Sequence, residues 1–246
     1  MDRMVFAAMT GARSAVGQLA VTANNLANAA TPGFKEQVAA FRAVPMGGDG
    51  ANTRAFVLDT TPGSYFSAGR LEATGAPLDV AIQDQGFLVV QRPDGTEGLT
   101  RNGRLTVDSQ GIIRGVLGYT LLGETGPITL PPNSLPNIAS DGTVSIIDAV
   151  SSQPQVIGKL RLVNPPAKEL TRSDDGLFSV RRDENTTFDR SVGVAQGFLE
   201  GSNVNVASAM ISMVSQQRLF DMNMKTIQNA DLNARSANGI MSLSRS

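Results

Sequence analysis

Apolar residues near the start of the chain recur at alternating intervals of four and three: Val5, Met9, Ala12, Val16, Leu19, Ala23 and Leu26. A repeat of about 3.5 residues is the seam of a coiled coil rather than the broader face of a globular helix. It predicts a helix from about Asp2 to Asn28, roughly 40 Å long. The alternation returns near the other end at Val206, Met210, Met213, Gln217, Phe220, Met224, Ile227, Asp231 and Ala234, with Gln217 and Asp231 as polar breaks. No proline follows Gly201, and Gly239 is the only later glycine. A second helix is therefore predicted from about Asn203 to Leu243, roughly 60 Å long, capped by Ser202 or Asn203.

Between these stripes the pattern changes to short apolar runs. Leu78–Ile82, Gly86–Val90, Val144–Ile147 and Lys159–Val163 read as strands, and Arg104–Asp108 alternates with Leu105 and Val107 on one side. Thr61-Pro62-Gly63, Pro93-Asp94-Gly95, Asp141-Gly142 and Asp174-Asp175-Gly176 are turn signals. The predicted organisation is an inner helical domain from residues 1–33 and 203–246, an extended connector over 34–76, loosest at 46–50, and a β-rich domain over 77–202. The fold class is α+β: long N- and C-terminal helices pairing as a coiled-coil domain, with a central antiparallel β-rich domain.

Each stripe is too thin to bury itself. Two readings remain open: an ordinary intramolecular helical hairpin, or helices that pair with each other and with further copies. The methionines 210, 213, 222 and 224 fit either, as core filler or as an adaptable face that meets unlike neighbours.

Composition narrows the chemistry. Cysteine and histidine are both absent, which removes disulfides, Cys/His zinc sites and His-based catalytic triads. Net charge is −1 with no basic stripe, which argues against nucleic acid. No apolar run is long enough to span a bilayer, and Thr10, Arg13, Ser14 and Gln18 interrupt the N-terminal apolar residues, a poor secretory signal. Asp79, Asp84 and Asp94, with Glu72, Glu97 and Glu124 nearby, have no spacing that marks an acid–base pair. Asp174-Asp175-Gly176 lacks the ligand series of a calcium loop. The expectation is no enzyme activity, no cofactor and no metal.

The stretch ANNLANAATPGFK, Ala23 to Lys35, is the most unusual. On a helical wheel Leu26 lies near Ala23 on a small apolar face, while Asn24, Asn25 and Asn28 share an amide face. Amides both donate and accept, so such a face can be buried against another protein or can simply end a solvated helix. Thr31-Pro32 stops the helix and Gly33 permits a sharp redirection.

This stretch resembles the signature of flagellar basal-body rod and hook proteins. PLDVAIQDQGFLVVQ, LTRNGRLTVDSQG and LGETGPI resemble the family's shared β-domain segments, and LEGSNVNVASAMISMVSQQRLFDMNMK resembles its C-terminal helix signature. The opening residues with FRAVP at 41–45 are most similar to the proximal-rod, F-type members, with distal-rod or hook-type members as the alternative. Gln216-Gln217 departs from an apolar seam.

The resemblance implies an axial structural subunit of the bacterial flagellum, self-associating into a helical tube that transmits torque. Its terminal helices would form the inner coiled-coil layer. The implied location is the periplasmic rod of the basal body, reached through the flagellar type III export apparatus without a cleaved signal peptide. The implied partners are copies of itself, other rod proteins and the export apparatus, with no nucleic acid and no membrane insertion. Candidate assembly residues are Val5, Met9, Val16, Leu19, Asn24, Asn25, Leu26 and Asn28 on the first helix and Pro32, Gly33 and Phe34 after it. Asn203, Asn205, Met210, Met213, Gln217, Phe220, Met224 and Ile227 are their C-terminal counterparts. Thin stripes would leave the termini mobile before assembly, because ordering costs about 1–2 kcal/mol per residue. The competing classes are a carboxylate-dependent glycan hydrolase and a monomeric β-domain adaptor.

Overall fold

A computed structural model describes residues 2–45, 55–132, 134–147, 153–180 and 188–243. They fall into two compact units, one from Met1–Ala27, Gln37–Ser64 and Asn205–Ser246, the other from Asn28–Glu36 and Tyr65–Val204.

The first unit holds α1 (Asp2–Ala27), β1 (Gln37–Pro45), β2 (Ala55–Ser64) and α2 (Val206–Leu243). α1 packs against α2 and against both strands. β1 and β2 pair antiparallel within the stretch read as an extended connector. The turn signal Thr61-Pro62-Gly63 misled that reading. It lies inside β2, where Val38 faces Gly63 but Ala40 faces Thr60, so β2 carries one extra residue. Such a bulge is where a strand tolerates proline. Residues 46–50, expected to be loosest, lie outside the described residues.

The helices have nearly the expected extents, and the expected seam is buried only in part. α1 buries Ala8, Ala12 and Ala15, while Phe6, Met9 and Val16 stay exposed at 58%, 52% and 49%. Ala12 lies on the expected seam, whose Val5, Leu19 and Leu26 are half-buried, while Ala8 and Ala15 fall one residue before it. Among the described side chains of α2, Ala209 and Ala230 are buried, Met213, Phe220 and Ile227 half-buried, and Met210, Gln217 and Met224 exposed. Small side chains let two helix backbones approach closely. A Cβ at Gly11 would come within 3.0 Å of the Asn223 side chain on α2.

The second unit is the β body. Its strands are β3 (Leu71–Ala73), β4 (Val80–Ile82), β5 (Phe87–Gln91), β6 (Glu97–Thr100), β7 (Thr106–Val107), β8 (Ile113–Arg114), β9 (Thr120–Gly123), β10 (Gly126–Pro127), β11 (Pro136–Ile138), β12 (Thr143–Ile147), β13 (Pro154–Lys159), β14 (Leu162–Val163), β15 (Leu170–Arg172), β16 (Phe178–Val180), β17 (Val194–Gln196) and β18 (Phe198–Glu200). The main sheet runs β15-β16-β6-β5-β9-β8-β7, with β14 also on β5 and β10 also on β9. β11-β12-β13 form a second sheet, and β17 pairs with β4 and β18 with β3. Every pairing is antiparallel.

β5 sits at the centre because both its faces are apolar. Leu88 and Val90 enter the larger core with Leu121, Val144, Leu160 and Leu162. Phe87 and Val89 enter a smaller one, where Phe66, Phe87 and Phe178 meet with ring centroids 5.2 to 5.9 Å apart. Gly95, Gly142 and Gly176 close hairpin turns at φ of 85°, 82° and 81°, as their Asp-Gly sequences predict. The Arg104–Asp108 run is less regular than its alternation suggests, since Leu105 is buried and Val107 exposed.

Leu88→Ala is expected to lower the stability of the β body by about 2–5 kcal/mol. Val107→Ala, at an exposed position, should change it by less than about 0.5 kcal/mol. Urea titration of the two variants checks the difference.

Candidate functional site

Lys35, the last residue of the asparagine-rich stretch, is completely buried in the β body. Its Nζ donates to Glu200 Oε1 at 2.7 Å and to the Ser67 carbonyl at 2.8 Å. Glu200, 1% exposed, accepts from Arg101 Nε at 2.6 Å through its other oxygen. The Gly69 N–H donates to Oε1 at 2.8 Å. Arg101 also donates to the carbonyls of Gly86, Asp84 and Ile82. Burying charge costs several kcal/mol per ion, and it persists where the ions are paired and their remaining hydrogen-bonding groups are met. That condition holds here.

The electrostatics follow from the packing. Burial pushes the Lys35 ammonium below the ordinary lysine range; the Glu200 hydrogen bond opposes this without reversing it, and Arg101 reinforces it. Burial alone would push the Glu200 carboxyl up. The Arg101 charge and the hydrogen bonds from Lys35, Gly69 and Arg101 together pull it below the ordinary carboxylate range.

The backbone around the cluster explains two glycines. Gly33 sits at φ +69° and donates its N–H to the Glu200 carbonyl at 2.7 Å. A Cβ there would lie 2.3 Å from the Arg101 carbonyl carbon. At Gly69 a Cβ would lie 2.0 Å from the Gly201 oxygen. Both positions are backbone-to-backbone contacts that exclude any side chain.

The candidate asparagines divide by role. Asn25, 5% exposed, donates to the Gln37 carbonyl and accepts from the Gln37 N–H, both at 2.8 Å. Its amide thus pairs with β1 of the same chain, so the expected interface amide is used internally. Asn28 accepts from the Thr31 hydroxyl at 3.2 Å, and Asn24 is exposed. Asn203 is a clamp: Oδ1 accepts from the Glu36 N–H at 2.7 Å, while Nδ2 donates to the Tyr65 carbonyl and to Ser67. The cap of α2 is Asn205, whose Oδ1 accepts from the Ser208 N–H at 3.0 Å, rather than Ser202 or Asn203.

Of the apolar candidates, Val5, Leu19, Leu26 and Pro32 are half-buried and Phe34 is buried. Gln217 is exposed, while the buried side-chain oxygen of Gln216 has no hydrogen-bond partner among the described residues. Beside the ionic cluster lies a cleft of about 220 Å³ walled by Pro32, Phe34, Leu117, Leu177, Phe178 and Arg172. The Arg172 guanidinium stacks 4.3 Å from the Phe34 ring centroid and donates to the Lys35 carbonyl at 2.9 Å. Among the described residues no carboxylate cluster suits a metal ion, and no helix is long and apolar enough to cross a membrane.

Three family descriptions match the chain in order: "Flagella basal body rod protein" over residues 7–35, "Flagellar hook protein FlgE/F/G D1 domain" over 81–146, and "Flagellar basal body rod FlgEFG protein C-terminal" over 195–240. The flagellar basal-body rod protein FlgF of Escherichia coli (strain K12) is 42% identical across 99% of this chain and 100% of its own length. The chain belongs to the FlgF family of flagellar basal-body rod proteins. FlgF of Salmonella typhimurium is 43% identical over the same shares, and FlgG of Buchnera aphidicola subsp. Schizaphis graminum is 34% identical over 86% of this chain and 89% of its own.

In this rod protein each matched segment supplies one member of the ionic cluster: Lys35 ends the first, Arg101 lies in the second and Glu200 in the third. Sequence reasoning missed all three, because an isolated charge in a polar context reads as surface. Their one signal was membership of the family-like segments.

Glu200→Gln leaves two buried cations without their anion and should cost about 3–5 kcal/mol. The native carboxyl titrates below its unfolded value of 4.5, so the unfolded chain binds more protons between the two. Stability from Glu200 is therefore complete above the unfolded pKa and is lost as pH falls through the folded one. Thermal melts between about pH 7 and about pH 3 should show a shallower acid dependence for Glu200→Gln than for wild type.

Proposed function

We infer that this chain is an axial structural subunit of the proximal flagellar rod, which self-associates into a helical tube and transmits torque. The observation that carries this reading is the mismatch on the helices. α1 and α2 bury alanines within their own unit, while Phe6, Met9, Val16, Met210, Ile211, Val214 and Met222 remain exposed. Apolar surface in such quantity on a helix pair marks an interaction face.

The outward residues complete coiled-coil seams with the same helices of neighbouring subunits, either copies of this chain or other rod proteins. A repeated contact between unlike surfaces that does not close gives a helical filament. The subunit reaches the periplasm through the flagellar type III export apparatus without a cleaved signal peptide and stays monomeric until it meets a growing end. It has no nucleic-acid partner and no membrane insertion. The β body is the outer part, and its role is structural rather than enzymatic.

Val16→Glu and Met210→Glu each place a charge where the proposed seam closes. Both variants should keep the wild-type melting of the β body and fail to restore rods in a strain lacking its own subunit, as scored by basal-body electron microscopy. Normal rods from both would overturn the reading. Amide exchange gives an independent check: protection along α1 and α2 should rise on docking to a rod end.

A further inference from the structure

We propose that the cleft beside the ionic cluster is a socket for a carboxylate-bearing, partly apolar segment of a neighbouring rod subunit. This rests on the rod reading above and names one of its contacts outside the helices.

Size is the first argument. At about 220 Å³ the cleft is smaller than the roughly 300 Å³ at which small-molecule sites begin. It suits a side chain or two from another protein. Its walls are apolar, from Pro32, Phe34, Leu177 and Phe178.

Charge is the second. Arg172 lines the cleft, held between the Phe34 and Phe178 rings at 4.3 and 5.5 Å. Its Nη1 donates to a backbone carbonyl, and no carboxylate pairs with it among the described residues. Lys35 and Arg101 also border the cleft and share the single anion Glu200. Asp175 borders it too, but its carboxylate is taken by Arg92 Nε at 2.6 Å and the Leu177 N–H at 3.1 Å. Among the described residues the wall is therefore positive in excess, and a guanidinium held against aromatic rings is pre-oriented for a carboxylate.

The rim is the third. Leu117 is 61% exposed and adopts φ +59°, a left-handed backbone unusual for a non-glycine residue. A large apolar side chain is thus displayed at the mouth of a cationic cleft, which fits an occupant with an acid and an apolar group side by side.

The test uses the full-length protein in a strain lacking its own rod subunit. Wild type should restore swimming; failure there would sink the rod reading itself. Arg172→Met keeps the bulk between the rings and removes the charge. It should melt with the wild-type midpoint, be exported, and dock roughly tenfold or more weakly, seen as a matching drop in completed rods. Arg172→Lys should retain part of the function. Normal rod numbers with Arg172→Met would overturn the socket while leaving the rod reading intact. A photo-reactive phenylalanine analogue at position 117 supplies a second readout that does not depend on the stability of the Arg172 variants. In isolated basal bodies it should join covalently to a rod-subunit peptide containing Asp or Glu; an adduct with cell-wall glycan, or none, would overturn the proposal.

Discussion

One carboxylate organises the β body. Glu200 lies almost at the end of that unit, and it neutralises Lys35 from its beginning and Arg101 from its middle. Remove the anion and two cations face each other in a site that water does not reach. The surrounding hydrogen bonds only make sense around this group: Gly33 presses its N–H on the Glu200 carbonyl, Gly69 on the carboxylate, and Ser67 receives the spare proton of Lys35. Directional polar contacts of this kind do less for net stability than an equal volume of hydrocarbon. They specify which segments meet, and three segments distant in sequence can satisfy them in only one arrangement.

The helical unit follows the opposite logic. The apolar side chains that its helices bury most fully are alanines, which allow close approach but remove little apolar area from water. Several bulky residues, Phe6, Met9, Val16 and Met210 among them, are exposed instead. The β body is thus specified by its own charges, while the helical unit retains the apolar surface on which a filament-forming subunit depends.

Much of this architecture was legible in the sequence. The alternating stripes placed α1 and α2 within a few residues of their ends, and the Asp-Gly turns located three hairpins, because these are local signals read over short windows. What stayed hidden was long-range. Spacing gives the period of a helical stripe but not how deeply each position is buried, and here Ala8, Ala12 and Ala15 are buried while Met9 and Val16 of the expected seam are exposed. The amides of Asn25, expected on an interface face, and Asn203, expected as a helix cap, turn out to serve other partners: one pairs with Gln37, the other with Glu36, Tyr65 and Ser67. Proline in Thr61-Pro62-Gly63 reads as a stop, and only the pairing partner reveals a bulge. Lys35, Arg101 and Glu200 carried no local mark of burial at all.

The separation of Lys35 and Glu200 along the chain has a consequence for the order of events. The N-terminal segment that carries Lys35 is synthesised first, so its half of the ion pair waits for Glu200. A chain lacking everything from residue 200 onward keeps both cations and loses the group between them, and β18 loses its pairing of Glu200 with Leu71. Completion of the body therefore reports that the chain has been made as far as residue 200.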